Sequence, residues 1–145
     1  MIVGECDPRG EGALSPARRG STGDRMCKMV EAVDAEFDRR DFARVFDLRN
    51  LCGERWDDEE ASDKAAHLVR YLVDLESPLV LLGTRVRRTF RLPEIAPGDS
   101  FVIRGLRFYP VPHPSGLCRA YNDPAVRRAV GGLLSNLWRS SHARP

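Results

Sequence analysis

The chain has 145 residues, of which 42% are hydrophobic, and its 23 Lys and Arg side chains nearly balance 21 Asp and Glu side chains. This length and composition predict one folded domain, residues 1–145, and exclude a disordered tail or a small disulfide-stabilised scaffold. No apolar run approaches the roughly 20 residues that span a bilayer, and no signal-type stretch opens the chain. We therefore expect an intracellular, cytoplasmic protein without a membrane partner.

Strand and helix patterns alternate along the chain, as expected of an α/β protein with a parallel sheet. The predicted elements are, in chain order, a very short strand over 1–3, a Gly-, Pro- and Ser-rich loop over 4–23, a helix over 24–39 capped by Asp24 or Thr22, a strand over 45–51, a helix over 57–75, a strand over 79–83, a helix over 84–90, an extended hairpin made by 101–103 and 107–111, and a helix over 124–138. The continuous apolar run 79–83 is typical of a parallel strand covered on both faces.

Charge is distributed unevenly along the chain. Residues 31–76 contain seven Lys or Arg and fourteen Asp or Glu, whereas residues 104–145 contain seven Arg and a single acid, Asp123. A basic C-terminal part predicts a face that meets phosphate. The alternative is arginine-rich codon usage combined with chance clustering.

The four cysteines, Cys6, Cys27, Cys52 and Cys118, include no closely spaced C-x-x-C pair. Such pairs are typical of zinc and iron–sulfur sites, so we predict free thiols, most of them buried, and no metal. A metal bound by all four cysteines is the alternative.

Two loops that follow predicted strands carry polar groups that packing does not explain. The first is Gly4-Glu5-Cys6-Asp7-Pro8, after the opening strand, and the second is His113-Pro114-Ser115-Gly116-Leu117, after the last strand. Ligands of open parallel sheets bind outside the carboxyl ends of the strands, where the strand order reverses. The carboxylates and the imidazole are therefore expected to converge on one pocket, whereas His67 and His142 are interpreted as surface histidines.

These two loops, with the strand 79–83 between them, resemble the uracil-DNA glycosylase superfamily. The Gly-x-x-(x)-Pro loop and the His-Pro-Ser-Gly-Leu string, followed by Arg119 and Asn122, are similar to small bacterial and phage members, and the resemblance covers most of the chain. It implies a three-layer α/β/α sandwich around a central, mainly parallel four-stranded sheet. It also implies a monofunctional DNA glycosylase that hydrolyses the N-glycosidic bond of uracil, or of a related deaminated or modified pyrimidine, without a cofactor.

The resemblance implies a catalytic role for three residues. An acid of the first loop positions water and offsets the charge of an oxocarbenium-like transition state; one alignment assigns this role to Asp7 and another to Glu5. His113 matches the histidine that donates a hydrogen bond to the departing pyrimidine. The target base is flipped out of the DNA stack to reach them.

The remaining roles implied by the resemblance concern DNA, which we expect to be the partner of a monomeric protein. Asn50 corresponds to the amide that reads the Watson–Crick edge of the base, and Leu117 to the wedge that enters the vacated stack. The expected backbone contacts are Ser115, with Ser15 or Ser21, and Arg119, Arg127 and Arg128. Tyr121 either stacks on a base or packs inside the protein.

The match is incomplete, and two other classes of function remain open. Arg9 follows Pro8 where uracil-specific members carry a tyrosine that blocks thymine, so strict selectivity for uracil does not follow. The first alternative is a catalytically inactive glycosylase-fold module that binds modified or single-stranded DNA. The second is a small α/β enzyme that acts on free nucleotides and binds phosphate through backbone N–H groups.

Overall fold

The computed structural model describes residues 1–7, 12–73, 77–115 and 117–142, and within them it contains five strands and five α-helices. The strands are β1 (Ile2–Gly4), β2 (Leu48–Asn50), β3 (Leu79–Leu82), β4 (Phe101–Ile103) and β5 (Leu106–Val111). The helices are α1 (Thr22–Glu31), α2 (Phe42–Val45), α3 (Asp58–Val73), α4 (Thr84–Thr89) and α5 (Pro124–His142), with two short 3₁₀ helices, Arg39–Asp41 and Arg119–Asn122.

The strands form one mixed, mostly parallel sheet in the order β2-β1-β3-β5-β4. The first four strands of this order are parallel, and β4 pairs antiparallel with β5 at the edge. The predicted α/β class is therefore confirmed, but the prediction of four strands is wrong. The first arm of the predicted hairpin, Phe101–Ile103, pairs along its whole length with β5 and adds a fifth strand.

Helices cover both faces of the sheet because consecutive strand residues point to opposite sides. Ile2, Val80 and Leu82 belong to the hydrophobic cluster that α1, α2 and α5 complete, whereas Val3 and Leu81 belong to the cluster completed by α3 and α4. On α3 the buried residues recur at helical spacing; they are Ala61, Ala65, Leu68 and Leu72. Burial on both faces accounts for the nearly continuous apolar character of β3.

Tertiary contacts move several predicted boundaries. Helix α1 ends at Glu31 instead of residue 39, and its N-cap is Ser21, whose Oγ accepts a hydrogen bond from Asp24 N at 2.9 Å, instead of Asp24 or Thr22. The predicted strand over 45–51 is shortened to Leu48–Asn50, because Phe42 and Phe46 are buried together one helical turn apart, with ring centroids separated by 4.8 Å.

A buried carboxylate joins the ends of α1 and α5. Asp34 is 5% exposed, and its two carboxylate oxygens accept hydrogen bonds from Arg139 Nε and Nη2 at 2.8 and 2.6 Å, while Ser135 Oγ donates to one of them. The hydrogen bonds from Arg139, and then that from Ser135, hold the pKa of the Asp34 carboxyl well below its usual range. This network fixes the angle at which α5 returns along α1.

Asp34→Asn should lower Tm at pH 7, because Arg139 and Ser135 lose their charged partner. A depressed carboxyl pKa contributes stability that is present above the unfolded-state value of about 3.8 and is lost as pH falls through the folded-state value. The difference in Tm between the wild-type protein and Asp34→Asn should therefore narrow only below about pH 4. Asp47→Asn is the control, since Asp47 forms an exposed ion pair with Arg49. If Asp47→Asn lowered Tm as much as Asp34→Asn does, a special role of Asp34 in stability would be contradicted.

No helix among the described residues is long and apolar enough to cross a membrane.

All four cysteines are free thiols, of which Cys27 and Cys52 are buried. Cys6 and Cys118 are only partly buried, so the prediction that most of the thiols are buried is too strong.

Candidate functional site

The carboxyl ends of four parallel strands meet at one edge of the sheet. From β1 the chain runs to β2 on one side, and β3 then pairs with β1 on the other side, so the strand order reverses between β1 and β3. Such a reversal opens a crevice at the carboxyl ends of the strands. Glu5 follows β1 and Gly83 follows β3, and both residues therefore lie at this reversal point.

Backbone hydrogen bonds hold the first loop in place beyond the end of β1. Leu51 N donates to Gly4 O at 3.0 Å and Cys52 N donates to Glu5 O at 2.9 Å, so backbone hydrogen bonds still join the two segments past the ends of β1 and β2. On the other side of the crevice, Gly83 N donates to Val111 O at 2.9 Å and joins the ends of β3 and β5. These bonds fix the backbone on which Glu5 and His113 are carried.

Glu5 and His113 border one small space above Gly83. A Cβ atom built on Gly83 would lie 3.0 Å from Glu5 Oε1, 3.1 Å from His113 Cβ and 3.5 Å from His113 Cδ2. Gly83 has φ of +97°, a conformation that side-chain-bearing residues rarely adopt. A glycine at this position therefore leaves room for a carboxylate and an imidazole to approach each other.

The environment of His113 favours the neutral imidazole. Burial lowers the pKa of His113 below its ordinary value of 6.5, and the nearby Glu5 carboxylate opposes this shift without reversing it. A neutral imidazole keeps one N–H donor and one unprotonated nitrogen. At neutral pH His113 is therefore able to donate a hydrogen bond without carrying a charge.

Asp7 is directed toward its own loop. Its Oδ2 accepts hydrogen bonds from Gly12 N at 2.6 Å and Ala13 N at 3.1 Å, and Ala13 O in turn accepts from Thr22 N at the start of α1. The carboxylate thus holds the first loop against α1. Of the two acids considered from sequence, Glu5 is the one beside His113.

Asn50 lies at the same edge of the sheet, one strand beyond Glu5. It pairs in register with Gly4, and a Cβ atom built on Gly4 would lie 2.5 Å from Asn50 Oδ1. The absence of a side chain at Gly4 is therefore what allows the amide to lie over the end of β1. Asn50 is partly exposed.

The loop after β5 presents an apolar side chain to solvent. Leu117 is 94% exposed, whereas Ser115 N donates to His113 O at 2.7 Å and Cys118 N donates to Ser115 O at 3.2 Å. Tyr121 OH donates to Pro112 O at 2.6 Å, and its ring packs against the cluster under α1 and α5. Tyr121 is only partly buried and also lines a groove beside Ser115, so its ring packs against the core on one side and borders open space on the other.

The other predicted DNA contacts lie at different places. Arg127 and Arg128 line a groove that also includes Ser115, whereas Arg119 is exposed and lies outside its lining. The Ser21 hydroxyl is already engaged, since it donates to Ser15 O at 2.6 Å and accepts from Asp24 N. Pro8, Arg9 and Gly116 lie outside the described residues.

Some residues of the site were not identified from sequence. Gly83 was interpreted only as the end of a strand, although the glycine that follows such an apolar run is itself a signal of close backbone approach. Arg25 and Lys28 also line the groove beside Ser115, and their spacing along α1 places them on one helical face. Among the described residues, no group of three or more His, Cys, Asp and Glu side chains is arranged to bind a metal ion.

No model of a known protein family matches the chain, and no curated protein matches it significantly. The resemblance to glycosylases therefore rests on the two loop motifs, on their order along the chain and on the residues that carry them.

Proposed function

We propose that the protein is a monofunctional DNA glycosylase that releases uracil, or a related deaminated or modified pyrimidine, from DNA. The observation that carries this proposal is the meeting of the Glu5 carboxylate and the His113 imidazole above Gly83, where the strand order reverses. The order of the sheet, with Glu5 and His113 at the carboxyl ends of β1 and β5, also supports a glycosylase-like fold. The fifth strand, β4, is then an addition at the edge of its four-stranded parallel sheet.

Glu5 is the acid that we assign to the water. In the proposed reaction the C1′–N bond breaks with its electron pair leaving on the base, and a water oxygen forms a bond to C1′. The Glu5 carboxylate orients that water, accepts its proton and offsets the positive charge that develops on the sugar. Asp7 is less suited to this role because two backbone N–H groups already bind its Oδ2.

His113 stabilises the departing base. Negative charge builds on a pyrimidine oxygen as the glycosidic bond breaks, and a donor aimed at that oxygen lowers the barrier most when the site excludes water. The lowered pKa of His113 keeps the imidazole neutral at pH 7. Its N–H therefore donates a hydrogen bond to the pyrimidine oxygen without carrying a positive charge that would offset the charge of the Glu5 carboxylate.

Asn50 and Leu117 are assigned to recognition of the flipped nucleotide. An amide presents a donor and an acceptor together, which matches the Watson–Crick edge of a pyrimidine. An apolar side chain that is 94% exposed is suited to fill the gap that a flipped base leaves between its neighbours. Asn50 lies at the same edge of the sheet as Glu5, and Leu117 lies in the loop after β5 that also carries His113.

The decisive experiment is a panel of oligonucleotides, each containing one modified base, scored for abasic sites after incubation with the protein. We expect an abasic product from at least one deaminated or modified pyrimidine, and no product from the unmodified oligonucleotide. Binding to the panel without an abasic product from any base would refute the proposed hydrolysis and favour the inactive DNA-binding module.

Gly83→Ala should reduce base excision about tenfold or more, since the new methyl group would contact Glu5 and His113 and displace them. The matched control is Gly105→Ala, because Gly105 also has positive φ, +82°, but no atom of the described residues, its chain neighbours aside, lies within 4 Å of its built Cβ. Both variants should lose about 1–3 kcal/mol of stability from backbone strain, and Gly83→Ala the more, since its φ of 97° and ψ of 165° lie in a region that essentially only glycine adopts. Equal excision rates in the two variants, measured at a temperature where both are folded, would argue against the site.

A further inference from the structure

A groove with a volume of about 570 Å³ lies beside the candidate site, between α1, the loop after β5 and the start of α5. Four cationic side chains line it, Arg25 and Lys28 from α1 and Arg127 and Arg128 from α5. Among its described lining residues there is no Asp or Glu. Ser115, two residues after His113, also lines the groove, so the groove is continuous with the loop that carries the imidazole.

The cations of the groove are only partly neutralised. Lys28 Nζ lies 2.9 Å from Asp24 Oδ2, but Asp24 is also bound by Arg39 at 2.6 Å, so one carboxylate serves two cations. Arg127 Nη1 donates to Tyr121 O at 2.7 Å, a neutral acceptor that does not offset its charge. Arg128 is exposed and has no hydrogen-bond or ion-pair partner in the described part of the chain.

The wall and floor of the groove are apolar. Met29 of α1, with Ala32 and Val33 directly after the helix, lines the groove together with Pro114 and Pro124, and Val33 is 41% exposed although it is a large aliphatic residue. Proteins that bind single-stranded nucleic acid combine a cationic groove, which contacts the phosphates, with aromatic side chains on which bases stack. Tyr121 is the aromatic residue among the described residues that line this groove. The paired bases of a duplex stay stacked inside the helix and do not present their faces to such a surface.

We propose that this groove, which we name the α1–α5 groove, binds an unpaired nucleotide that flanks the target nucleotide on the same DNA strand. The inference deepens the proposed function and rests on it. The groove is assigned to the DNA strand that contains the target nucleotide because Ser115 joins the groove to the loop that carries His113. An acidic peptide would satisfy the cations as well. It is the less favoured occupant, because nothing would connect it to the loop that carries the imidazole.

The experiment measures binding of a fluorescent single-stranded oligothymidylate of twelve nucleotides, with no modified base, by fluorescence anisotropy. Arg25→Glu and Arg128→Glu should each weaken binding about tenfold, and the slope of log K against log salt should become shallower by about 0.7 for each phosphate that the variant no longer neutralises. Arg40→Glu is the matched control, since Arg40 is exposed and lies outside the groove lining, and it should change the affinity less than twofold.

Three results would overturn the groove proposal. The first is unchanged binding in both groove variants. The second is an equal loss of affinity in these variants for the single-stranded oligothymidylate and for the oligothymidylate paired with oligoadenylate. The third is displacement of the oligothymidylate by poly-glutamate at equal charge concentration. Failure of the glycosylase proposal has a different outcome, in which the groove variants lose affinity for single strands but the wild-type protein releases no base. Base release by wild type, with unchanged binding and excision in the groove variants, would refute the groove alone.

Discussion

Glu5→Gln should reduce base excision by about 10²–10³-fold, because the glutamine amide neither accepts the proton of the attacking water nor offsets the charge of the oxocarbenium-like transition state. The replacement is nearly isosteric, so the backbone bonds around Glu5 O and the packing at Gly83 should be retained. The rate should be measured under single-turnover conditions on the base that the oligonucleotide panel identifies, which separates chemistry from binding and product release.

Asp7→Asn is the control for the Glu5 variant. An asparagine carbonyl is able to accept the bonds from Gly12 N and Ala13 N that Asp7 Oδ2 accepts, so the loop should stay in place and excision should change severalfold at most. The opposite ranking, with a large loss in Asp7→Asn and near wild-type excision in Glu5→Gln, would show that the alignment placing Asp7 beside the water is correct.

His113→Ala should reduce base excision by about 10²-fold, which is the scale of losing one preorganised donor to a developing oxyanion. Binding of DNA should remain within a few-fold of wild type, since the phosphate contacts are assigned to other residues. The measurement is again single-turnover excision, with affinity determined separately on the same oligonucleotide. Excision close to the wild-type rate would remove His113 from the mechanism.

The double variant Glu5→Gln/His113→Ala distinguishes one site from two separate ones. Residues that stabilise the same transition state show strongly non-additive losses, because once one is absent the other has less left to contribute. We therefore expect the double variant to lose less activity than the product of the two single losses. A fully multiplicative loss would indicate that the two side chains act independently.

The elements of the core were the most predictable from sequence. The run Leu79–Leu82 has only one suitable place in an α/β fold, a strand with both faces covered, and it lies there as β3. Helix α5 was predicted because apolar residues recur on one face, as with Val130, Leu133 and Leu134. Helix α3 was predicted because an acidic run, 57–60, is favourable at a helix N-terminus. Long periodic segments bury enough apolar area to determine their own structure.

Element boundaries were less predictable because distant contacts determine them. Beyond the end of α1, Asp34 is bound by Arg139, which is 105 positions away in the chain, in addition to the local hydrogen bond that Glu36 N donates to it. The aromatic pair Phe42 and Phe46 similarly converts part of a predicted strand into a helical turn. The contact between Asp34 and Arg139 is invisible to patterns read over a window of ten residues, whereas the spacing of Phe42 and Phe46 is a helical signal that the strand prediction overlooked.

The candidate site was predicted in outline, but its acid was not. The rule that parallel strands end at one edge was sufficient to expect an acid and His113 near each other. The spacing in Gly4–Pro8 allowed two alignments. In the structure Glu5 Oε1 lies beside Gly83, whereas Asp7 Oδ2 accepts hydrogen bonds from its own loop. The α1–α5 groove was half predicted, since Arg127 and Arg128 were identified from sequence and Arg25 and Lys28 were not.

The proximity of Glu5 and His113, on which the whole account depends, is measured most directly by the NMR titration of the His113 imidazole in wild type, Glu5→Gln and Asp7→Asn. We predict a wild-type midpoint below 6.5, because burial disfavours the charged ring, and a still lower midpoint in Glu5→Gln, because the carboxylate that favours the charged ring is gone. Asp7→Asn should shift the midpoint less. A wild-type midpoint above 6.5, or one that Glu5→Gln leaves unchanged, would contradict the account.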